Sequence, residues 1–232
     1  MISVLCPSRL RAESLFESVG SLLHTAEQPD DVEVLIAVDP DDVSDYYRFE
    51  HRCIVLRAPQ RYGYRQLHRY YNVLAREAKG EWLFLWNDDA RMKTGAWDRI
   101  VSRFPQDRVL SPDNPHRPIP AFPIVPRRFV EALGHFSLGP HCDIWWQELA
   151  AKGACAVEWI DVRVEHLRPD IIGTPADSVH DERGFWLHEF YEPGMQAMHD
   201  ADCEVIRAMT RIARNAPIYS APYPATPSTT LE

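Results

Sequence analysis

Four short apolar runs alternate with helical patterns over the first ~100 residues, and this alternation restricts the fold more than any other feature. Ile2 to Cys6 stops at Pro7, and Val32 to Val38 runs into Asp39-Pro40-Asp41-Asp42. Cys53 to Leu56 forms the third run, and Trp82 to Trp86 leads straight into Asn87-Asp88-Asp89. Short runs without polar alternation suit strands buried on both faces. Between them, Leu15, Phe16, Val19, Leu22 and Leu23 recur at helical spacing within Glu13 to Thr25. Gln66 to Ala78 reads as a second helix, and Lys79-Gly80 is expected to end it with glycine beyond the last turn. The pattern predicts an α/β fold: a single mixed, mostly parallel sheet flanked by helices. Ligands of such sheets bind outside the carboxyl ends of the strands, and two of those ends are acidic.

Beyond this core the pattern predicts a helix near Gly95 to Phe104 and short strands around Val109 and Phe122 to Val125, inside a proline-rich stretch from Arg108 to Pro126. Cys142 to Lys152 reads as a helix ending at Gly153, Ala156 to Val164 as a late strand, and the chain from about Pro193 as helical. The expected organisation is a catalytic domain over 1–170, a C-terminal helical extension over 171–215 and a mobile, proline-bearing tail over 216–232. A chain of 232 residues with 45% hydrophobic residues can bury one large core. Its net charge of −9 argues against a duplex-DNA binder held by phosphate contacts. The five cysteines are scattered, without a Cys-x-x-Cys pair, so a zinc ribbon or disulfide framework is not expected. Free thiols fit a reducing cytosol. No apolar run reaches the ~20 residues of a transmembrane segment, and the expected location is cytoplasmic.

The sharpest chemical signal is Leu83 to Asp89, where an apolar strand delivers an amide and two carboxylates to its carboxyl edge. Hard oxygen ligands of this kind suit Mg²⁺ or Mn²⁺, which could neutralise a leaving diphosphate. An Asp-rich turn or helix cap is the competing reading.

From Asn72 the chain runs through Ala78-Lys79-Gly80-Glu81-Trp82, an apolar strand and then Asn87-Asp88-Asp89. This segment resembles family 2-like inverting glycosyltransferases of the A-type fold, whose pattern is Asn, a short helix, Ala-x-Gly-Glu-aromatic, a strand and Asp-x-Asp. The spacings from Asn72 to Gly80 and from Gly80 to Asn87 match that pattern, with Asn87 at the first Asp and Asp89 at the second. The resemblance implies a nucleotide diphosphate sugar donor and a divalent metal, Mn²⁺ or Mg²⁺, on Asp89, with Asn72, Asn87 and Asp88 on the donor side. It implies base and ribose contacts from Pro7, Ser8 and Arg9 and a nucleotide contact from Asp39, for which turn chemistry is the alternative. Gly63 resembles the glycine of the family's Gly-rich segment; its separation from Asn72 is longer here, within a basic and aromatic insertion from Arg61 to Tyr71. Arg65 and its neighbours there could meet a diphosphate or an acceptor, or form a solvated helix face.

In the second half, Gly134-His135-Phe136 and then Asp143 to Gly153 resemble the family's Gly-x-aromatic and Glu-Asp helix stretch. The resemblance places Asp143 at the catalytic base; a simple helix cap is the alternative. Cys142 stands where the family often has Glu. His166, closing Trp159 to His166, falls where many members complete the metal site. The competing functions are a sugar nucleotidyltransferase and a degenerate domain that binds a nucleotide or glycan without turnover. The acceptor stays open: a glycan or small molecule leads, and a protein or hydroxymethylated nucleobase also fits.

Overall fold

A computed structural model describes residues 1–49, 51–113, 121–167 and 191–210 of the chain. Four strands form the first half of its sheet: β1 (Ile2–Pro7), β2 (Val32–Val38), β3 (Ile54–Arg57) and β4 (Trp82–Leu85). All pair in parallel, β1 lying between β2 and β4 and β2 between β1 and β3. The remaining strands are β5 (Ala90–Met92), β6 (Arg108–Asp113), β7 (Ile124–Pro126) and β8 (Ala156–His166). β7 runs antiparallel to both β4 and β6, β6 runs parallel to β8, and β5 runs antiparallel to the end of β8. The result is one mixed eight-stranded sheet, ordered β3-β2-β1-β4-β7-β6-β8-β5.

Helices cover both faces. On one, α1 (Ala12–Thr25) and α3 (Trp97–Ser102) bury Leu15, Val19, Leu22, Trp97 and Val101 against Val4, Val34 and Phe84. On the other, α2 (Leu67–Glu77), α4 (Arg127–Leu133), α5 (Cys142–Ala151) and α6 (Pro193–Thr210) pack Leu74, Phe129, Trp145 and Ile206 over Leu5, Leu35 and Leu83. Successive residues of a strand point to opposite faces, so Val4 and Leu5 enter different layers. This explains why β1 and β2 carry apolar residues continuously. Each fully buried aliphatic side chain contributes roughly 1.5–3 kcal/mol.

The structure differs from the sequence expectation at several points. β5 and α4 are additional elements, too short to show a period of their own. The glycine expected to end α2 has another use. α2 closes at Ala78 in extended conformation, and Gly80 lies against β1, where an added Cβ would stand 2.5 Å from the Ser3 nitrogen. The Gly80 N–H donates to Ser3 Oγ at 2.7 Å, a contact only a residue without a side chain permits. All five cysteines are free and buried. The expected tail over 216–232 and, within the expected helical extension, 171–190 and 211–215 lie outside the described residues. α6 packs on α4 and α5: Asp202 accepts from the Trp145 indole at 3.0 Å and lies 2.8 Å from His135 Nε2. Among the described residues no helix is long and apolar enough to cross a membrane.

Candidate active site

β1, β2 and β4 end at the same edge of the sheet because their parallel registers align Pro7 with Ala37 and Leu5 with Leu85. Just beyond that edge lie Ser8, Arg9, Asp39 and Asn87 to Asp89. Ser8 Oγ donates to Asp88 Oδ2 at 2.8 Å, and the Arg11 guanidinium meets Asp88 Oδ1 at 3.2 Å and Asp89 Oδ2 at 3.9 Å. Burial, reinforced by the charge of Asp89, pushes the Asp88 carboxyl well above the usual carboxylate range, while Arg11 and Ser8 pull it back. Asp88 is thus a buried anchor held by Ser8 and Arg11, and Asp89 beside it turns to His166.

Asp89 Oδ1 lies 3.0 Å from His166 Nε2. These residues are joined by the antiparallel ladder in which Ala90 pairs with His166, and Leu167 N–H donates to the Asp89 carbonyl at 2.8 Å. Along β8 the buried phase runs Ile160, Val162, Val164, His166, so the histidine occupies a core position in the alternation. Its ring packs edge-on to Phe122 at 5.0 Å.

The Asn87 amide stands between two partners. Its nitrogen is 3.2 Å from His166 Nε2, and its oxygen is 3.3 Å from the Tyr71 hydroxyl. Tyr71 also donates to the Trp86 carbonyl at 2.9 Å, and one hydroxyl proton serves one acceptor best. A single His166 nitrogen likewise cannot donate to Asp89 and accept from Asn87 together. Turning the amide resolves both conflicts, since amide oxygen and nitrogen are told apart only by their partners. The nitrogen then donates to Tyr71, and the oxygen joins Asp89 Oδ1 and His166 Nε2. Two oxygens and an imidazole nitrogen, converging within hydrogen-bond distance, fit Mn²⁺ or Mg²⁺ by donor chemistry.

The nucleotide-side residues are tied to one another. Arg9 donates to Asp39 Oδ2 at 2.8 Å and to Asp41 at 2.7 Å. Asp39 is almost fully buried and accepts a second bond from the Tyr70 hydroxyl. That hydroxyl receives the N–H groups of Tyr62 and Gly63 at 2.9 and 3.2 Å. Gly63 has a positive φ of 69°, a conformation that glycine adopts at little cost. Asp42, equally buried, accepts from the Leu10 N–H at 2.7 Å and from the Tyr46 hydroxyl at 2.8 Å. It holds Leu10 in the left-handed region at φ 54°, a strain of order 1–3 kcal/mol.

Asp143 lies in the first turn of α5, inside the helix rather than at its cap, which is His141. Burial raises its pKa; the N–H groups of Ile144 and Asp143 and the rings of His141 and His166 oppose the rise. Asp143 is thus within electrostatic reach of His166. Asn72 faces the loop before α5 instead of the cleft edge: its oxygen accepts the N–H groups of Phe136 and Ser137, and its nitrogen donates to the Ser137 carbonyl. Arg65 is exposed in the short turn before α2, and Arg69 lies over the Tyr62 ring at 5.4 Å. Arg11 and Asp42 stand at this edge without being singled out in the sequence reading; Tyr70 and Tyr71 belong to the aromatic insertion, with their hydroxyls turned to Asp39 and to the Trp86 carbonyl. Arg11 had a signal, as the second cation close behind Pro7.

One further group, His199, Asp200 and Cys203 on α6, has ligand atoms within 4.8 Å of one another. Lys152 Nζ already sits 2.6 Å from Asp200, which places an ammonium where a cation would bind.

No family model matches the sequence, and no curated protein matches it. Solved structures do. Over 94% of this chain and 76% of the other, it superimposes on the mannosyltransferase PcManGT of Pyrobaculum calidifontis in complex with GDP-Man and Mn²⁺, with TM-score 0.59 and 14% identity. Staphylococcus aureus TarS 1-349 in complex with UDP matches over 92% of this chain and 72% of that one, with TM-score 0.55 and 13% identity. The fold is the A-type fold of nucleotide-sugar transferases.

Proposed function

We propose that this chain is a glycosyltransferase that moves a sugar from a nucleotide diphosphate sugar to an acceptor hydroxyl, with inversion. The observation that carries the reading is the meeting of Asn87, Asp89 and His166 at the carboxyl edge of the sheet, from positions far apart in the sequence. The known binding of UDP by TarS and of GDP-Man with Mn²⁺ by PcManGT supports it, because both share the fold.

Asp89, His166 and the Asn87 oxygen would hold Mn²⁺ or Mg²⁺. Bound there, the cation supplies charge neutralisation for the departing diphosphate. Ser8 and Arg9 with Asp39 border the space for base and ribose, and Gly63 brings backbone close to it. Arg11, and Arg65 from the insertion, supply guanidinium groups suited to paired phosphate oxygens. Asp143 takes the proton of the acceptor hydroxyl as its oxygen attacks the anomeric carbon from the face opposite the diphosphate. Burial raises the basicity of Asp143, which favours proton abstraction. The favoured acceptor is a glycan or a small molecule.

A thermal-shift screen of UDP-, GDP- and dTDP-sugars with and without Mn²⁺ tests this reading. A ligand at 100 times its dissociation constant adds ~2.7 kcal/mol, several degrees for a domain of this size. No shift with any donor defeats the proposal. The degenerate-binder reading is favoured by Asn87 and by Cys142, whose thiol is buried and turned to the Gly139 carbonyl. It predicts a shift without release of nucleotide.

A further inference from the structure

Two consecutive residues of α2, Tyr71 and Asn72, touch the two parts of the site that must act together. Tyr71 is buried. Its hydroxyl is bonded to the Trp86 carbonyl and faces Asn87, at the start of the segment that carries Asp89. Its ring stacks on Phe136 at 5.8 Å with an interplanar angle of 24°. Asn72 holds the next residues of that same loop. Phe136 N–H and Ser137 N–H donate to Asn72 Oδ1 at 2.7 and 3.1 Å, and Asn72 Nδ2 donates to the Ser137 carbonyl at 2.8 Å. Three of the amide's four hydrogen-bonding positions are thereby used on backbone. The loop is also closed on itself: Ser137 Oγ donates to the Gly139 carbonyl at 2.8 Å, and α5 begins three residues later with Asp143 in its first turn.

We propose that Asn72, together with Tyr71, is a positioning element that fixes the distance between the candidate metal group and the candidate base Asp143, and that Asn72 does not touch the donor. This rests on the function proposed above. The physical reason is the rigidity of one helical turn. Neighbouring residues on a helix keep a fixed separation, so the 86–89 segment and the 136–143 segment cannot drift apart while both are bonded to α2. Catalysis by a general base depends on placement to within a fraction of an ångström. A side chain amide suits the task because it both accepts and donates without charge, matching a backbone N–H and a C=O.

The test compares wild type with Asn72→Ala, Asn72→Asp and Tyr71→Phe in Mn²⁺-supported hydrolysis of UDP-glucose and GDP-mannose, with donor affinity measured separately by calorimetry. Asn72→Ala is expected to lower kcat at least tenfold while donor Kd stays within twofold. Asn72→Asp keeps both accepted bonds but loses the donation to the Ser137 carbonyl, so its kcat should fall between those of Asn72→Ala and wild type. Tyr71→Phe should lower kcat and weaken Mn²⁺ binding together. A rise in donor Kd without loss of kcat would make Asn72 a donor contact and overturn the proposal. Equal kcat in wild type and Asn72→Ala overturns it as well. Should Asn72→Ala fail to fold, Asn72→Asp decides: a lowered kcat with donor Kd within twofold of wild type supports the proposal, and an unchanged kcat or a raised donor Kd overturns it. A wild type that neither binds nor hydrolyses any donor removes the functional reading, and this proposal with it.

Discussion

In the parallel half of the sheet, β3-β2-β1-β4, each strand delivers its polar residues to one edge, and those residues bond to one another: Ser8 to Asp88, Arg9 to Asp39, Arg11 to Asp88. In the mixed half, β7-β6-β8-β5, the contributions are single and come by long-range pairing. His166 arrives through the β5–β8 ladder, and Asp143 on α5, which follows the loop bonded to the Asn72 amide. The contrast separates a networked wall, where the loss of one member is shared among its partners, from singly delivered candidate groups whose loss, on the proposed function, falls on one step. Substitutions should therefore hurt chemistry more in the second half and binding more in the first.

The largest expected effect is at Asp143. Asp143→Asn should reduce turnover by about two to four orders of magnitude, the usual contribution of a general base, and leave donor affinity nearly unchanged. Near-normal turnover would make Asp143 a helix-start residue and erase the contrast.

Next is the group shared by both halves. His166→Ala should weaken Mn²⁺ binding on the order of 100-fold, given that even outer partners of metal ligands are worth ~10- to 100-fold. Calorimetric titration with Mn²⁺ alone reads this without any substrate, and unchanged affinity would remove His166 from the metal group.

In the first half, the double substitution Arg65→Ala and Arg69→Ala should raise the Michaelis constant for donor or acceptor several-fold, with little change in melting temperature, because Arg65 and Arg69 are both exposed. Unchanged constants for both substrates would return the insertion to a solvated helix face.

The smallest effect concerns pH. His68, on α2, is lowered to about 4, chiefly by burial, with Arg69 and His135 adding to the effect. Its ordinary value is ~6.5, so between these values the unfolded chain binds more protons than the folded one. The stability contributed by neutral His68 is present above ~6.5 and is lost as pH falls toward about 4. His68→Phe should flatten the acid side of a melting-temperature profile over that window. A parallel profile would show that His68 is solvated when folded.

By itself the sequence determined the layers, the strand ends and the identity of the residues at the acidic edge. Continuous apolar runs bury both faces of a strand, and parallel strands joined by helices must end on one side. Asn87 to Asp89, Asp39 and Ser8 were legible for that reason. Sequence likewise carried His166 as a strand-end residue, since its alternation with Ile160, Val162 and Val164 is local. Only the tertiary structure decided which of these residues meet and which way they face. Asp88 turns inward because Ser8 and Arg11 are there to receive it; Gly80 serves a close approach to β1 and not a helix cap; Asn72 is spent on a loop 64 residues away. Tyr70 and Tyr71 are legible as aromatics of the insertion, but not the partners their hydroxyls take, Asp39 and the Trp86 carbonyl. The physical reason is the same in each case: a side chain's role at this edge is set by hydrogen-bond partners distant in sequence, and local periodicity contains no record of them.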